Sequence, residues 1–319
     1  MKQPLLLLAK LTVSIGLLSL IANKIDLQKL TVLLAASRTI YILAAFGGII
    51  LGLLLSSFRW HLLVLSKAHS RIGFGAILDL YLVGLFFNSL LPGGIAGDMA
   101  RVHHLQRHPL TVGDVFGSVV VDRVLGVLGL ILISTSGALL CQTTLLQLEF
   151  PIHLVYLFTV GVIICAAILR IPLERWVERL PRTNPMVAKC ISIYISVRDY
   201  LRTKAFWTGL GISLVVAIIW VGTMFFLARS FDISVPPAYL IWMVPTVAIL
   251  STLPVSFSGW GIREVGYIYF LKQVGVPTEK ALTISIVFGG MVLLTNLIGG
   301  IWYLLRTILA RLKGVSATL

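Results

Sequence analysis

Long apolar runs separated by short polar or basic stretches recur along the whole chain, near positions 4–22, 39–58, 76–91, 115–140, 152–169, 206–228, 239–257 and 281–305. Most reach the roughly 20 residues that a helix needs to cross the hydrocarbon core of a bilayer. The pattern predicts an all-α polytopic membrane protein. The first run encloses Lys10, is longer than a signal-peptide core and ends without an A-x-A site, so it is expected to persist as a helix. Of 319 residues, 58% are hydrophobic and 12% charged, with a mean hydropathy of +1.00, more apolar surface than a soluble core would hide.

Charge sets the expected orientation. The net charge of +14 would suit nucleic acid, but the cations gather where helices leave the membrane, as the positive-inside rule requires. The segment Arg59 to Arg71 is basic, Arg170 to Lys204 carries eight Lys or Arg against three acids, and Arg306, Arg311 and Lys313 close the chain. Between Cys141 and Pro151 the only charge is Glu149. The basic loops and both termini are therefore expected on the cytoplasmic side, and 141–151 outside. If 76–91 crossed fully, the basic loop at 170–204 would fall outside. That run is expected to be re-entrant, and the same parity makes 239–275 re-entrant from the other face. The expected fold is two inverted-topology repeats, 1–140 and 152–313, joined by the external loop 141–151. It has about six full crossings plus hairpins at about 76–107 and 239–275. The connectors Asn23 to Arg38 and Pro172 to Lys204 read equally as interfacial amphipathic helices or as short solvated loops.

Both expected hairpin turns fall on a repeated motif. SLLPGGIAGDMAR at Ser89 to Arg101 and STLPVSFSGWGIR at Ser251 to Arg263 share the frame SxLPxxxxGxxxR, 162 positions apart. Each copy places a helix break, a Gly and a cation in an apolar setting, as expected of a duplicated transporter.

Ionisable residues at membrane depth are costly, roughly 2.5 to 3.5 kcal/mol at a helix centre, so they face a cavity, pair with one another, or both. Asp98 and Arg101 share one face of the first returning half-helix, and Arg263 and Glu264 open the second. Asp114, Ser118 and Asp122 form a polar stripe beside Arg123. One reading is neutralising ion pairs that hold helices together, Asp122 with Arg123 among them. The other is a phosphate site: a half-helix starting inside the membrane aims unpaired N–H groups and its positive dipole end at a ligand, and an Arg one turn on completes it. Gly94, Gly97 and Arg101 would form one such site and Ser256, Gly259 and Arg263 the other, open to opposite leaflets. Asp98 and Glu264 would select cationic or hydroxylated parts of a head group. The paired glycines at 47–48, 289–290 and 299–300 fit close helix packing. Cys141, Cys165 and Cys190 form no framework. His103, His104 and His108 lack acidic partners at metal spacing and read as a solvated basic loop. No phosphate-binding loop, nucleophile elbow or zinc motif occurs, and no cofactor is expected.

Arg59-Trp60, Phe86-Phe87-Asn88, Leu91-Pro92-Gly93, Gly97-Asp98, Arg101, Leu105, Arg107, Gly117-Ser118-Val119, Asp122-Arg123 and Gly126, followed by Leu253-Pro254, Ser256, Gly259-Trp260-Gly261 and Arg263-Glu264, form two ordered blocks spanning nearly the whole chain. In these blocks the chain resembles the lysylphosphatidylglycerol synthase transmembrane, or flippase-like, family. Ala96 stands where members often have Gly. The resemblance implies movement of aminoacylated phosphatidylglycerol or polyprenyl-linked lipids between leaflets. Some members carry a cytoplasmic aminoacyltransferase domain, which is not found here, so a separate enzyme is expected to make the lipid.

The expected function is thus a lipid flippase or translocase in a bacterial or archaeal inner membrane, moving a phosphate-containing lipid through a polar cavity. The expected substrate-binding residues are Arg101, Arg263, Asp98, Glu264, Asn88, Gly97, Gly259, Ser256, Asp122 and Arg123. The partner is the membrane lipid, not nucleic acid. Two alternatives stay open: an intramembrane lipid-modifying transferase using Asp98 or His103, and an ion-coupled carrier of a small solute with Asp79 and Asp122 as proton sites.

Overall fold

A computed structural model describes residues 35, 37–68, 72–90, 96–106, 109–141, 185–252 and 260–312. The expected first crossing at 4–22, the loop 141–151 beyond Cys141, the run at 152–169, both hairpin turns with Pro92, Gly94, Pro254, Ser256 and Gly259, and most of the connector at 23–38 lie outside these residues. Within them the chain is all helix: α1 (Thr39–Leu65), α2 (Phe74–Leu90), α3 (Ala96–Leu105), α4 (Val112–Leu140), α5 (Pro185–Tyr200), α6 (Lys204–Ser230), α7 (Pro237–Thr252), α8 (Ile262–Gln273) and α9 (Thr278–Leu312). Four are long and apolar enough to cross a membrane, Thr39–Leu65, Val112–Leu140, Lys204–Ser230 and Thr278–Tyr303. They cover four of the six expected crossings. Phe74–Ser89 and Pro237–Thr252 are apolar but shorter.

Local chemistry fixes the ends. Thr111 Oγ1 accepts the Asp114 N–H at 3.1 Å and Thr203 Oγ1 that of Phe206 at 3.2 Å, capping α4 and α6. α8 stops at a Schellman turn: Gly275, with φ of 80°, donates to the Lys272 carbonyl at 3.0 Å and Val276 to that of Leu271 at 3.1 Å. α6 ends the same way, with Asp232 at φ 52° in the glycine position and Ile233 donating to the Ala228 carbonyl at 2.9 Å. These tight stops let α7 and α9 start at once.

The order long, short, short, long occurs twice, in α1 to α4 and in α6 to α9. The packing follows the same exchange. α1 packs on α6; α4 on α7 as α9 on α2; α4 on α6 as α9 on α1; and α2 on α3 as α7 on α8. Among the described helices only α5 lacks a counterpart, lying against α4 through Ser196 and Gly117.

Contact sequences give the directions. Gly48, Gly52 and Arg59 of α1 meet Thr223, Trp220 and Ser213 of α6 in turn, so these helices are antiparallel. α2 and α3 form an antiparallel hairpin, with Gly97 against Asn88 and Arg101 against Gly84. α7 and α8 form another, with Val247 against Gly266 and Tyr239 against Phe270. At one end of the bundle Trp60, Val64, Ile77, Val102, Leu105 and Val115 bury one another, tying the open end of the first hairpin to α1 and α4. At the other end Ala45, Ala138, Phe231, Tyr239, Phe270, Leu271 and Ala281 do the same for the second hairpin. The basic loop expected to begin at Arg59 begins later: α1 runs on to Leu65 because Leu62, Leu63 and Val64 follow Arg59, and Arg59 itself is buried.

Candidate functional site

Between the two hairpins lies a cavity of about 400 Å³ to which α1 to α4 and α6 to α9 all contribute. Arg59, Tyr81, Asn88, Arg101, Asp122 and Arg123 line it from the first half, and Ser213, Trp220, Ser251, Arg263, Tyr267 and Asn296 from the second.

The first half supplies a charge network from three helices, α1, α3 and α4, tied to α6 of the second half. Asp122 on α4 accepts from Arg59 Nε of α1 at 2.8 Å and from Arg101 Nη2 of α3 at 3.0 Å. Arg59 Nη1 also donates to Ser213 Oγ of α6 at 2.9 Å. The Arg101 guanidinium lies 3.9 Å from the Trp60 ring centroid and 4.6 Å from that of Tyr81, and Trp60 Nε1 donates to Ser118 Oγ at 3.3 Å. Aromatic faces on a desolvated cation favour the flat guanidinium over an ammonium. Gly84 gives the Arg101 stem its room, because any side chain there would meet Cγ and Cδ of Arg101. Asp98 receives a fork from Arg123, Nε at 2.9 Å and Nη2 at 3.1 Å, and lies 3.5 Å from Arg101 Nη1.

The second half solves the same problem locally. Arg263 donates from Nε and Nη2 to Glu264 Oε1 at 3.0 and 2.6 Å, and Glu264 Oε2 accepts the Gly261 N–H at 2.6 Å, closing the start of α8. Gly261 adopts φ of 90°, a conformation glycine reaches without strain. The Arg263 guanidinium stacks 4.6 Å from the Trp260 centroid, against Gly289 of α9.

Of the sequence-derived site residues, Arg101, Arg263, Asn88, Asp122 and Arg123 line the cavity. Asp98 and Glu264 are not among the lining residues but pair with those cations, Asp98 with Arg101 and Arg123 and Glu264 with Arg263, and Gly97 donates its N–H to Asn88 Oδ1 at 2.9 Å while packing on the Gly84 carbonyl. Ser256 and Gly259 lie outside the described residues. The polar stripe divides its labour: Asp114 joins the α4 cap and receives Ser196 at 3.1 Å, Ser118 holds Trp60 and Asp122 the arginines. Asp122 pairs with Arg59 and Arg101, and Arg123 with Asp98, so the neighbouring pair read from the sequence is not the pair formed. Consecutive residues on a helix point about 100° apart, which puts Asp122 inside and Arg123 toward the surface. Asp79, a proton-site alternative, accepts from Trp302 Nε1 at 2.9 Å and does not line the cavity. His103 and His104 are on α3 rather than in a loop, with His104 buried. No group of three metal-ligating side chains occurs among the described residues.

Sequence reasoning missed Arg59, Tyr81 and Ser213 as contributors. For Arg59 the available signal was the apolar stretch on both sides of it, which reads as helix rather than loop. A comparison with curated proteins finds no match. The family model described as the lysylphosphatidylglycerol synthase TM region matches residues 7–300, containing every site residue named above, and the chain belongs to that family.

Proposed function

We propose that this multi-pass membrane protein is a lipid translocase, passing a phosphate-bearing head group through the central cavity while the acyl chains stay in the bilayer. The observation that carries this reading is that Arg101 and Arg263, the two cations of the repeated motif, come from different hairpins and line one cavity. Around it four arginines, at 59, 101, 123 and 263, face three carboxylates, Asp98, Asp122 and Glu264, leaving one positive charge for an anion. A guanidinium fork matches phosphate as it matches carboxylate, so a phosphate can take a carboxylate's place on either arginine. The repeated helix order and the matched packing pairs support two inverted repeats, with α2–α3 and α7–α8 as re-entrant hairpins entering from opposite faces. In this reading the bilayer is that of a bacterial or archaeal cell, inner where there are two, with both termini cytoplasmic, and a separate enzyme supplies the lipid.

The test is translocation of a fluorescent anionic phospholipid in proteoliposomes, with variants matched for expression and melting. Loss of a charge-assisted hydrogen bond of ~1.5–3 kcal/mol predicts that Arg101→Gln and Arg263→Gln each slow transfer about ten- to a hundredfold, with the Lys variants between. Transfer near the wild-type rate by both folded Gln variants would rule the reading out.

A further inference from the structure

The charges of the first half form a graded series from the surface inward. Side-chain exposure falls from 47% at Arg123 to 18% at Asp98, 6% at Arg101 and 3% at Asp122, with signs alternating at each step. Asp98 is the pivot. Its Oδ1 takes Arg123 Nη2 at 3.1 Å and faces Arg101 Nη1 at 3.5 Å, so one carboxylate sits between an outer and an inner guanidinium. Arg123 is the twelfth residue of α4, roughly 16 Å from its start at 1.5 Å per residue. Met99, next to Asp98 in sequence, and Val120 and Val124, a turn before and one residue after Arg123, are exposed and apolar, and Arg123 lines the cavity too.

We infer that the slot between Arg123 and Arg101 is a docking site for the phosphate of a glycerophospholipid arriving sideways from the bilayer between α3 and α4, with Asp98 as its placeholder. The inference rests on the translocase reading and adds the entry point. The lipid's phosphate displaces the Asp98 carboxylate and takes the Arg123 fork, its acyl chains lying along Met99, Val120 and Val124. Transfer from Arg123 to Arg101 then carries the head group from surface to cavity. An ion pair present only to neutralise Arg123 makes the opposite forecast for Asp98, since its removal would leave the site weaker, not freer.

The test is docking, read without transport. The full chain is placed in phosphatidylcholine nanodiscs containing a few per cent of phosphatidylglycerol with a diazirine near the glycerol, irradiated, and adducts are mapped by mass spectrometry. Adducts are expected on residues 96–102 and 120–127. They should rise severalfold in Asp98→Asn and fall about tenfold in Arg123→Gln, with Arg123→Lys between. Equal yields in wild type and Arg123→Gln, or a drop in folded Asp98→Asn, would overturn the inference. If Asp98→Asn does not fold, the swap Asp98→Arg with Arg123→Asp decides: it re-forms the pair, and recovery of wild-type adducts would overturn the inference, whereas persistent loss supports it. Competition by millimolar inorganic phosphate as strong as that by unlabelled lipid would assign the slot to a soluble anion and overturn it too. A wild type that docks lipid here but moves none would sink the translocase reading alone.

Discussion

A single carboxylate, Asp122, holds two buried arginines, and that sets what its removal does. Asp122→Asn takes the carboxylate from Arg59 and leaves Arg101 only the longer contact to Asp98 at 3.5 Å, and breaking a buried pair costs about 3–5 kcal/mol. The variant should melt well below wild type, and adding Arg59→Gln should restore part of the loss by removing one uncompensated charge. Adding Arg123→Gln should restore less, because Arg123 pairs with Asp98 and reaches Arg101 only through that shared carboxylate. A double-mutant cycle on melting temperature measures the difference; equal rescue by both would mean the pairing is otherwise. At this scale the sequence picked out charges that line the cavity and was poor on whom they touch. Asp98, Arg101, Asp122 and Arg263 announce themselves as charges in apolar surroundings. The Arg59–Asp122 contact spans 63 positions and two helices, and no spacing rule within one helix reaches that far.

Elements were far more legible than contacts, because apolar run length and charge parity act on whole helices. The four long helices and the two short ones fall on apolar runs of the hydropathy pattern, and the main error, ending α1 before Arg59, came from reading one cation as a boundary. Pairing of elements depends on surface shape, above all on glycines where backbones meet. Gly97 packs on the Gly84 carbonyl and the Asn88 amide inside the first hairpin, whereas Gly290 has no atom near enough to meet a methyl group. Gly97→Ala should therefore overpack the hairpin, costing about 1–3 kcal/mol. Gly290→Ala should change stability by no more than about 1 kcal/mol, favourably if helix propensity dominates. Thermal melting of the two variants side by side checks this, and an indifferent Gly97→Ala would show that the hairpin has slack.

For the whole molecule, the proposed orientation makes the end carrying Lys67 and Asp199 cytoplasmic and the end carrying Arg38 and Asp232 external. Asp199 and Asp232 are exposed, so Asp199→Cys and Asp232→Cys, in a background lacking the native cysteines, should react with an impermeant maleimide from opposite faces. Labelling of both from one face would remove the inverted arrangement. Duplication could be suspected from the repeated SxLPxxxxGxxxR frame, but the way each half holds its cation could not, because it depends on what the neighbouring helix offers. Arg101 is latched by Asp122 from another helix; Arg263 leans on its own neighbour Glu264, while α8 is seated by Tyr267, Phe270 and Leu271 in an apolar cluster. Directional ion pairs accept almost no replacement, whereas apolar packing absorbs volume-conserving exchanges at less than about 1.5 kcal/mol. The two hairpins should therefore age differently as sequences diverge: α3 frozen at its charges, and the buried face of α8 free to drift among large apolar residues.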